Sequence, residues 1–274
     1  MSNFISAGCS FTFGHELSDD FESRYPSKKS WAYQLYSNGS FSDYICCAKG
    51  GIGNSAIARN VFQKINEVDN IDCVSVMWTF ISRYDWAMPP HKILDEQRWA
   101  SITPWETDDR EQEAYKALES NVIQQQLHKE RQENFNKAGV RPFANSLYRY
   151  AANDYHETFL SLKSIIWLQN ILEKRKIPYF FTLADNTLFF DNMVHRKDND
   201  KLMHNLYSEL DLNKWFFFGE RCMGFNQWSL LNDYKRGTTH PLDDAHDDAV
   251  KLMLPSFIKI IGEKNVWLDK KDSQ

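Results

Sequence analysis

Phe4-Ile5-Ser6-Ala7-Gly8-Cys9-Ser10-Phe11-Thr12-Phe13-Gly14 opens the chain with a short apolar run that stops at a glycine, the pattern of a strand entering a tight turn. Tyr44 to Ala48 repeats it, closed by Gly50-Gly51-Ile52-Gly53. Between these runs, Ser30 to Tyr36 carries Trp31, Leu35 and Tyr36 at helical spacing, and after the glycines Asn54 to Val68 carries Ile57, Val61, Phe62 and Ile65 likewise. Cys73 to Phe80 is almost continuously apolar, as a strand buried on both faces must be. The order strand, helix, strand, helix, strand predicts an α/β fold, a parallel sheet with helices on both faces. Such sheets place their chemistry in the loops beyond the carboxyl ends of the strands.

Working outward, the pattern changes from Pro89 to about Gly139, where a loop rich in Trp and Pro leads into the charged stretch Asp108 to Lys137. Its few apolar residues, Tyr115, Leu118, Val122 and Leu127, recur at loose helical intervals and predict a helical insertion after the third strand, either a solvated surface helix with a narrow docking stripe or a lid. Alternation then resumes. A helix is expected over Asn145 to Lys174, a fourth strand over Pro178 to Leu183, a further strand over Trp215 to Phe218 and a last helix from about Asp243 to Ile261. No internal repeat or low-complexity segment interrupts them.

With 274 residues, 42% of them hydrophobic, the chain suffices for one sizeable domain. A net charge of −5 leaves no chain-wide basic field for phosphate backbones, so nucleic acid is not expected as a partner. The longest apolar runs fall far short of the ~20 residues of a membrane span. Met1-Ser2-Asn3-Phe4-Ile5 has none of the marks of a secretion signal, which predicts a cytoplasmic location. Five cysteines, an odd number without repeated spacing, predict reduced thiols rather than disulfides or a zinc knuckle.

The loops hold several groups with chemistry. Ser10 stands just past a strand and before a helix start, where backbone N–H groups converge on an anion; it is either a nucleophile or a helix cap, and Cys9 is the alternative nucleophile. Gly237-Thr238-Thr239-His240-Pro241-Leu242-Asp243-Asp244-Ala245-His246 places His240 in a loop before the last helix, as a general base to a hydroxyl requires. Asp243 and Asp244 also fit the first turn of that helix, and His246 falls inside it as a packing or orienting residue. His15-Glu16 lacks the second histidine of a zinc-protease helix, and no metal or other cofactor is expected. Gly51-x-Gly53-x-x-Ala56 suits a dinucleotide fingerprint, but the far end of the next strand reads Met77-Trp78-Thr79, without the acid that fingerprint needs. The same glycines let backbone approach a substrate and offer an N–H to an oxyanion.

These blocks, in this order, resemble the SGNH (GDSL-type) hydrolase superfamily, especially phage-like members that begin Gly-Cys-Ser-Phe-Thr. The resemblance covers Asn3 to about Lys259, apart from the insertion. It implies a three-layer α/β/α sandwich with a flavodoxin-like sheet, and an acyl-enzyme mechanism of ester hydrolysis. The nucleophile falls on Ser10, the base on His240, and oxyanion N–H donors on Ser10 and Gly53. Two positions depart from the family pattern. Its third block supplies an asparagine, whereas residues 78–85 contain none, so the extra donor falls to Thr79, Ser82 or Arg83, or is absent. The acid that normally stands three residues before the histidine is Gly237 here; Asp233, Asp243 or Asp244, or a backbone carbonyl, must orient the ring instead. The family's habits imply a small-molecule or glycan ester as substrate, with an O-acetyl group on carbohydrate as one case. A catalytically impaired glycan-binding protein is the alternative, its groove lined by Trp78, Trp86, Trp99 and Trp105.

Overall fold

The computed structural model describes residues 2–21, 23–92, 98–107, 122–189 and 201–262. Its centre is a four-stranded parallel sheet of β1 (Asn3–Ala7), β2 (Asp43–Cys46), β3 (Ile71–Trp78) and a late strand, Tyr179–Leu183. β1 lies between β2 and β3, and β3 pairs on its other side with the late strand, the doubly wound order of flavodoxin-like sheets. Side chains alternate between two cores, as the pleat demands. Ile5, Val74, Val76 and Phe181 face one layer, and Phe4, Cys73, Met77 and Phe180 face the other.

The first layer contains α1 to α3 only in part. Helix α1 (Ser10–Phe13) is a single turn after β1, α2 (Trp31–Ser37) sits with the Phe4 core, and α3 (Asn54–Glu67) buries Ile57, Val61 and Ile65 on the Val74 side. Each begins close to its expected place. Ser30 caps α2 by accepting the N–H of Tyr33, a reason for the helix to start there.

The insertion is not purely helical. A two-stranded antiparallel hairpin, β4 (Tyr84–Ala87) with β5 (Trp99–Ile102), precedes α4 (Val122–Ala138) and α5 (Val140–Tyr150). Met88, Ala100, Ile102, Ala138, Val140 and Ala144 form a small core of their own. Of the stripe expected over Asp108 to Lys137, Tyr115 and Leu118 lie outside the described residues, and Val122 is exposed. The helix expected over Asn145 to Lys174 is two helices, because Asn153 caps a new one, α6 (Asp154–Lys174), by accepting the N–H of His156. Helix α6 packs beside α3 on the first layer, with Leu162, Ile165, Leu168 and Leu172 buried.

The late strand is β6 (Tyr179–Leu183), followed by α7 (Lys201–Ser208), α8 (Phe225–Leu231) and α9 (Asp243–Ile261). The strand expected over Trp215 to Phe218 is reduced to one bridge, Phe181 with Trp215. Its side chains do alternate, Trp215 and Phe217 toward one core and Phe216 and Phe218 toward the other, but the Phe218 N–H pairs with Met223, so the chain turns away before a ladder forms. Among the described residues no helix is long and apolar enough to cross a membrane.

Candidate active site

Ser10 is placed by the end of β1. Gly8 lets the chain turn back on itself: a Cβ there would lie 2.1 Å from the Thr12 hydroxyl oxygen, so only glycine fits. The Cys9 carbonyl then accepts the N–H groups of Thr12 and Phe13, winding the single turn of α1 with Ser10 at its head. That turn ends at Gly14, whose φ of 88° is left-handed and suits glycine. Cys9 is fully buried in the core beneath, so the alternative nucleophile is enclosed in apolar packing.

His240 meets Ser10 from the far end of the chain. Its Nε2 lies 2.8 Å from Ser10 Oγ, and its Nδ1 lies 2.8 Å from Glu16 Oε2. The Thr239 hydroxyl is a further neighbour of Nδ1 at 3.0 Å, and the ring stands edge-on to Phe11 and His15. The acid that faces the imidazole is therefore Glu16 and none of the three aspartates. Asp243 accepts the N–H and hydroxyl of Ser18 and pairs with Lys29 at 2.6 Å. Asp233 ends the turn after α8, with its N–H on the Leu230 carbonyl, and Asp244 lies in the first turn of α9. All three belong to loop and helix ends rather than to the ring.

Glu16 is held by more than the ring. Oε1 accepts the N–H of Thr238, and Oε2 accepts those of Thr239 and His240. Burial alone would raise its pKa, but the His240 contact and these backbone donors hold it down to about 2. An ionised carboxylate only accepts hydrogen bonds, so Nδ1 donates and Nε2 is left to accept the Ser10 hydroxyl proton. Gly237 makes room for this: a Cβ there would come within 2.7 Å of Glu16 Oε2. The glycine that stands where the related pattern has an acid is the space the Glu16 carboxylate occupies.

The glycine turn after β2 forms another wall. A Cβ at Gly53 would meet the Arg83 carbonyl at 2.4 Å, so the turn and the loop after β3 touch backbone to backbone. Asn54 locks that loop: its Oδ1 accepts the Thr79 N–H, and its Nδ2 donates to the Thr79 carbonyl and to Ser161. The Thr79 hydroxyl accepts from Arg83, whose guanidinium also reaches the Ile52 carbonyl and lies over the Phe80 ring. Ser82 receives the Tyr148 hydroxyl on its carbonyl. Among the described residues, neither the Ser10 nor the Gly53 N–H is engaged by a partner.

Two structural histidines flank the pair. His15 packs against Gly50, where a Cβ would lie 2.7 Å from its ring; burial, then the nearness of His240, lowers its pKa to about 4. His246, fully buried, accepts the Trp31 N–H on Nδ1, and burial above all lowers it to about 3. Both are neutral at pH 7. Of the tryptophans expected along a groove, Trp78 is fully buried, Trp86 stacks on Phe143 and Trp99 lies under Arg59; Trp105 is 40% exposed. Three of the four are occupied by packing within the chain.

Among the described residues no cluster of His, Cys, Asp or Glu is arranged to hold a metal ion. Glu16 and Asn54 are the two residues of the site that sequence reading misses. Glu16 stands only three residues past α1 with a left-handed φ of 67°, and Asn54 directly follows Gly53, a polar side chain at a helix start that is 2% exposed.

No family model matches the chain, and no curated protein does. Solved structures give a TM-score of 0.43 with a member of the lipolytic protein G-D-S-L family from Veillonella parvula, at 10% identity over 93% of this chain and 97% of that one. A putative acylhydrolase from Bacteroides fragilis gives 0.41, at 10% identity over 95% and 88%. An acetyl xylan esterase from the rumen bacterium Butyrivibrio proteoclasticus gives 0.39, at 9% identity over 94% of this chain and 64% of that one.

Proposed function

We propose that the chain is a serine ester hydrolase in which Ser10 is the nucleophile, His240 the general base and Glu16 the acid that orients it. One observation carries the reading: the unbroken hydrogen-bonded line from Glu16 through His240 to Ser10, which is the arrangement that activates a hydroxyl. As Ser10 Oγ attacks the ester carbonyl, Nε2 takes its proton, and the imidazolium so formed is stabilised by the Glu16 carboxylate. The N–H groups of Ser10 and Gly53 serve the oxyanion. His240 then passes the proton to the departing alkoxide. Water, deprotonated by the same nitrogen, releases the acyl group and restores Ser10.

Of Thr79, Ser82 and Arg83, Arg83 is our choice as the further oxyanion stabiliser. The Thr79 backbone is already paired with Asn54 and its hydroxyl with Arg83, whereas Arg83 brings a positive charge to the loop that touches Gly53. A preorganised donor of this kind is worth about 3 kcal/mol in other hydrolases. The case for an impaired binding protein rests on a missing asparagine and a missing acid; Glu16 beside His240 supports the enzyme reading for the acid, and Arg83 is our choice for the asparagine's part. Short-chain esters, including O-acetyl groups on carbohydrate, are the substrate class we assign.

Ser10→Ala is expected to abolish hydrolysis of 4-nitrophenyl acetate while leaving the melting temperature nearly unchanged, and a fluorophosphonate probe is expected to label the wild-type chain at Ser10. Undiminished turnover in the variant, with no label on the wild type, would reject the assignment.

A further inference from the structure

Beside the glycine turn lies positive charge beyond the Arg83 that the proposed mechanism uses. Arg131, from helix α4 of the insertion, lies over Gly51: its Nη1 would be 3.4 Å from a Cβ placed there. It is built in rather than loosely draped. Glu106, buried, pairs with it at 3.0 Å through Oε1 and spends Oε2 on the N–H and hydroxyl of Thr103. The guanidinium also reaches the Ser101 carbonyl and stacks on Phe135.

Lys49 stands immediately before the turn, and its backbone N–H is bound to the Gly8 carbonyl, two residues before Ser10. No described carboxylate forms an ion pair with its ammonium. Lys49 is exposed as a residue; partial desolvation of its ammonium, and then repulsion from Arg131 and Arg59, lower its pKa, with Asp85 opposing. Asp85 is itself taken by Arg59 in a two-pronged pair. Arg83, assigned above to the oxyanion, is a further cation on the neighbouring loop, and among the described residues no carboxylate pairs with it. Lys49, Arg59 and Arg131 thus gather beside the turn, and among the described residues the carboxylates that pair with these cations are Asp85 and Glu106, in a chain whose net charge is −5. Like charges gathered against the overall sign cost stability, and a bound anion relieves that cost.

The geometry points to an anion subsite made by Lys49 and Arg131 beside the glycine turn, so that the ester taken by Ser10 bears a carboxylate. A guanidinium fixed by a buried acid, next to an ammonium that no described carboxylate pairs with, matches that group in shape and charge. The inference rests on the ester-hydrolase reading and narrows its substrate class to anionic esters. It also gives the insertion a purpose, because Arg131 is the charged side chain that, with Thr103, the insertion lays on Gly51.

The test compares charged and neutral esters in pairs: 4-nitrophenyl hemisuccinate against 4-nitrophenyl butyrate, with the charge on the acyl side, and 4-acetoxybenzoate against its methyl ester, with the charge on the alcohol side. Each kcat/KM is divided by the alkaline hydrolysis rate of the same ester. In at least one pair the charged ester is expected to be preferred about tenfold at low salt, with the preference shrinking in about 0.5 M NaCl as screening shortens the field. Lys49→Met is expected to bring the ratio near one, and Lys49→Arg to keep most of it. Ratios near one in both pairs for the wild type, or a preference that survives Lys49→Met, would overturn the subsite. If no ester of either kind is hydrolysed, the catalytic reading fails instead, and calorimetric titration with succinate decides the subsite. Binding that weakens about tenfold in Lys49→Met sustains it; no binding to the wild type removes it.

Discussion

Glu16 and Asp243 stitch the same two loops together from opposite sides. Glu16 leaves the loop after α1 and reaches into the loop around His240; Asp243 leaves the start of α9, just past His240, and reaches back to Ser18, two residues beyond Glu16. Both carboxylates are held down to about 2 against the opposing effect of burial. They differ in what they hold. Glu16 has an imidazole and three backbone N–H groups, with 11% of its side chain exposed; Asp243 has an ammonium and a serine, with 23% exposed and a lysine partner 48% exposed. The lesson is that a low pKa marks a well-partnered carboxylate, and only the partner tells whether it acts in chemistry or in structure.

The sharpest break of this comparison is Glu16→Gln. The amide keeps the shape, but it cannot hold the imidazolium, and its NH2 group competes for the wrong ring tautomer. A fall in kcat of about 10³- to 10⁴-fold on 4-nitrophenyl acetate is expected, by analogy with the acid of known serine hydrolases. A fall under tenfold would show that a neutral acceptor, the amide oxygen or the Thr239 hydroxyl, suffices to orient His240 without the carboxylate charge.

Gly237→Ala attacks the same carboxylate without touching it chemically. The added methyl would lie 2.7 Å from Glu16 Oε2, closer than packed atoms sit, so either the carboxylate or the His240 loop must shift. A misplacement of about 1 Å in such a line costs on the order of 10²-fold in rate. The measurement is kcat of the variant beside its melting temperature, and a full rate in a normally stable variant would mean that the Glu16 contact is dispensable.

Why Glu16 escapes sequence reading follows from these distances along the chain. Ser10 and His240 each sit in a recognisable local pattern, a strand ending in Gly-Cys-Ser and a His-Pro before a helix. The apolar runs of β1, β2, β3 and β6 and the periodicity of α9 are equally local, and the fold class follows from them. The acid is expected next to the histidine, because that is where a local motif would carry it. Its partner lies 224 residues away, and His15-Glu16 invites comparison only with a metal motif. Asn54 hides for a related reason: a helix-start asparagine looks like a cap until the loop after β3 is seen folded over it. The hairpin of β4 and β5 and the loss of the strand at Trp215 to Phe218 are likewise decided by partners distant in sequence. The apolar pattern of residues 215–218 records packing into two cores, which a strand and an extended turn share.

Acidification separates the two carboxylates from a buried histidine in the same corner. A carboxylate with a lowered folded pKa contributes stability that is complete above its unfolded value and is lost as pH falls through the folded one, so Glu16 weakens the fold only between about 4.5 and about 2. A histidine whose folded pKa is lowered also stabilises at high pH, and His246 loses that contribution as pH falls from 6.5 toward about 3. Between pH 6.5 and 4.5 the decline belongs to the histidines, on the order of 2–3 kcal/mol for His246. In His246→Asn the amide oxygen can still accept the Trp31 N–H, and the variant is expected to flatten this part of the curve in urea titrations taken at stepped pH. An unchanged slope would move the effect to another group.

Asp243→Asn gives the smallest effect and for that reason the clearest control. The pair with Lys29 is partly solvated, and exposed pairs contribute at most about 1 kcal/mol. The asparagine keeps an acceptor for Ser18 while removing the charge that favours the start of α9. The expected outcome is a loss of roughly 0.5–1 kcal/mol of stability, with kcat on 4-nitrophenyl acetate within about twofold of wild type because a structural tie touches no proton of the reaction. Since Ser18 and Glu16 share one short loop, a large fall in kcat here would mean that the Asp243 tie fixes where Glu16 stands, and the two stitches would then have to be counted as one.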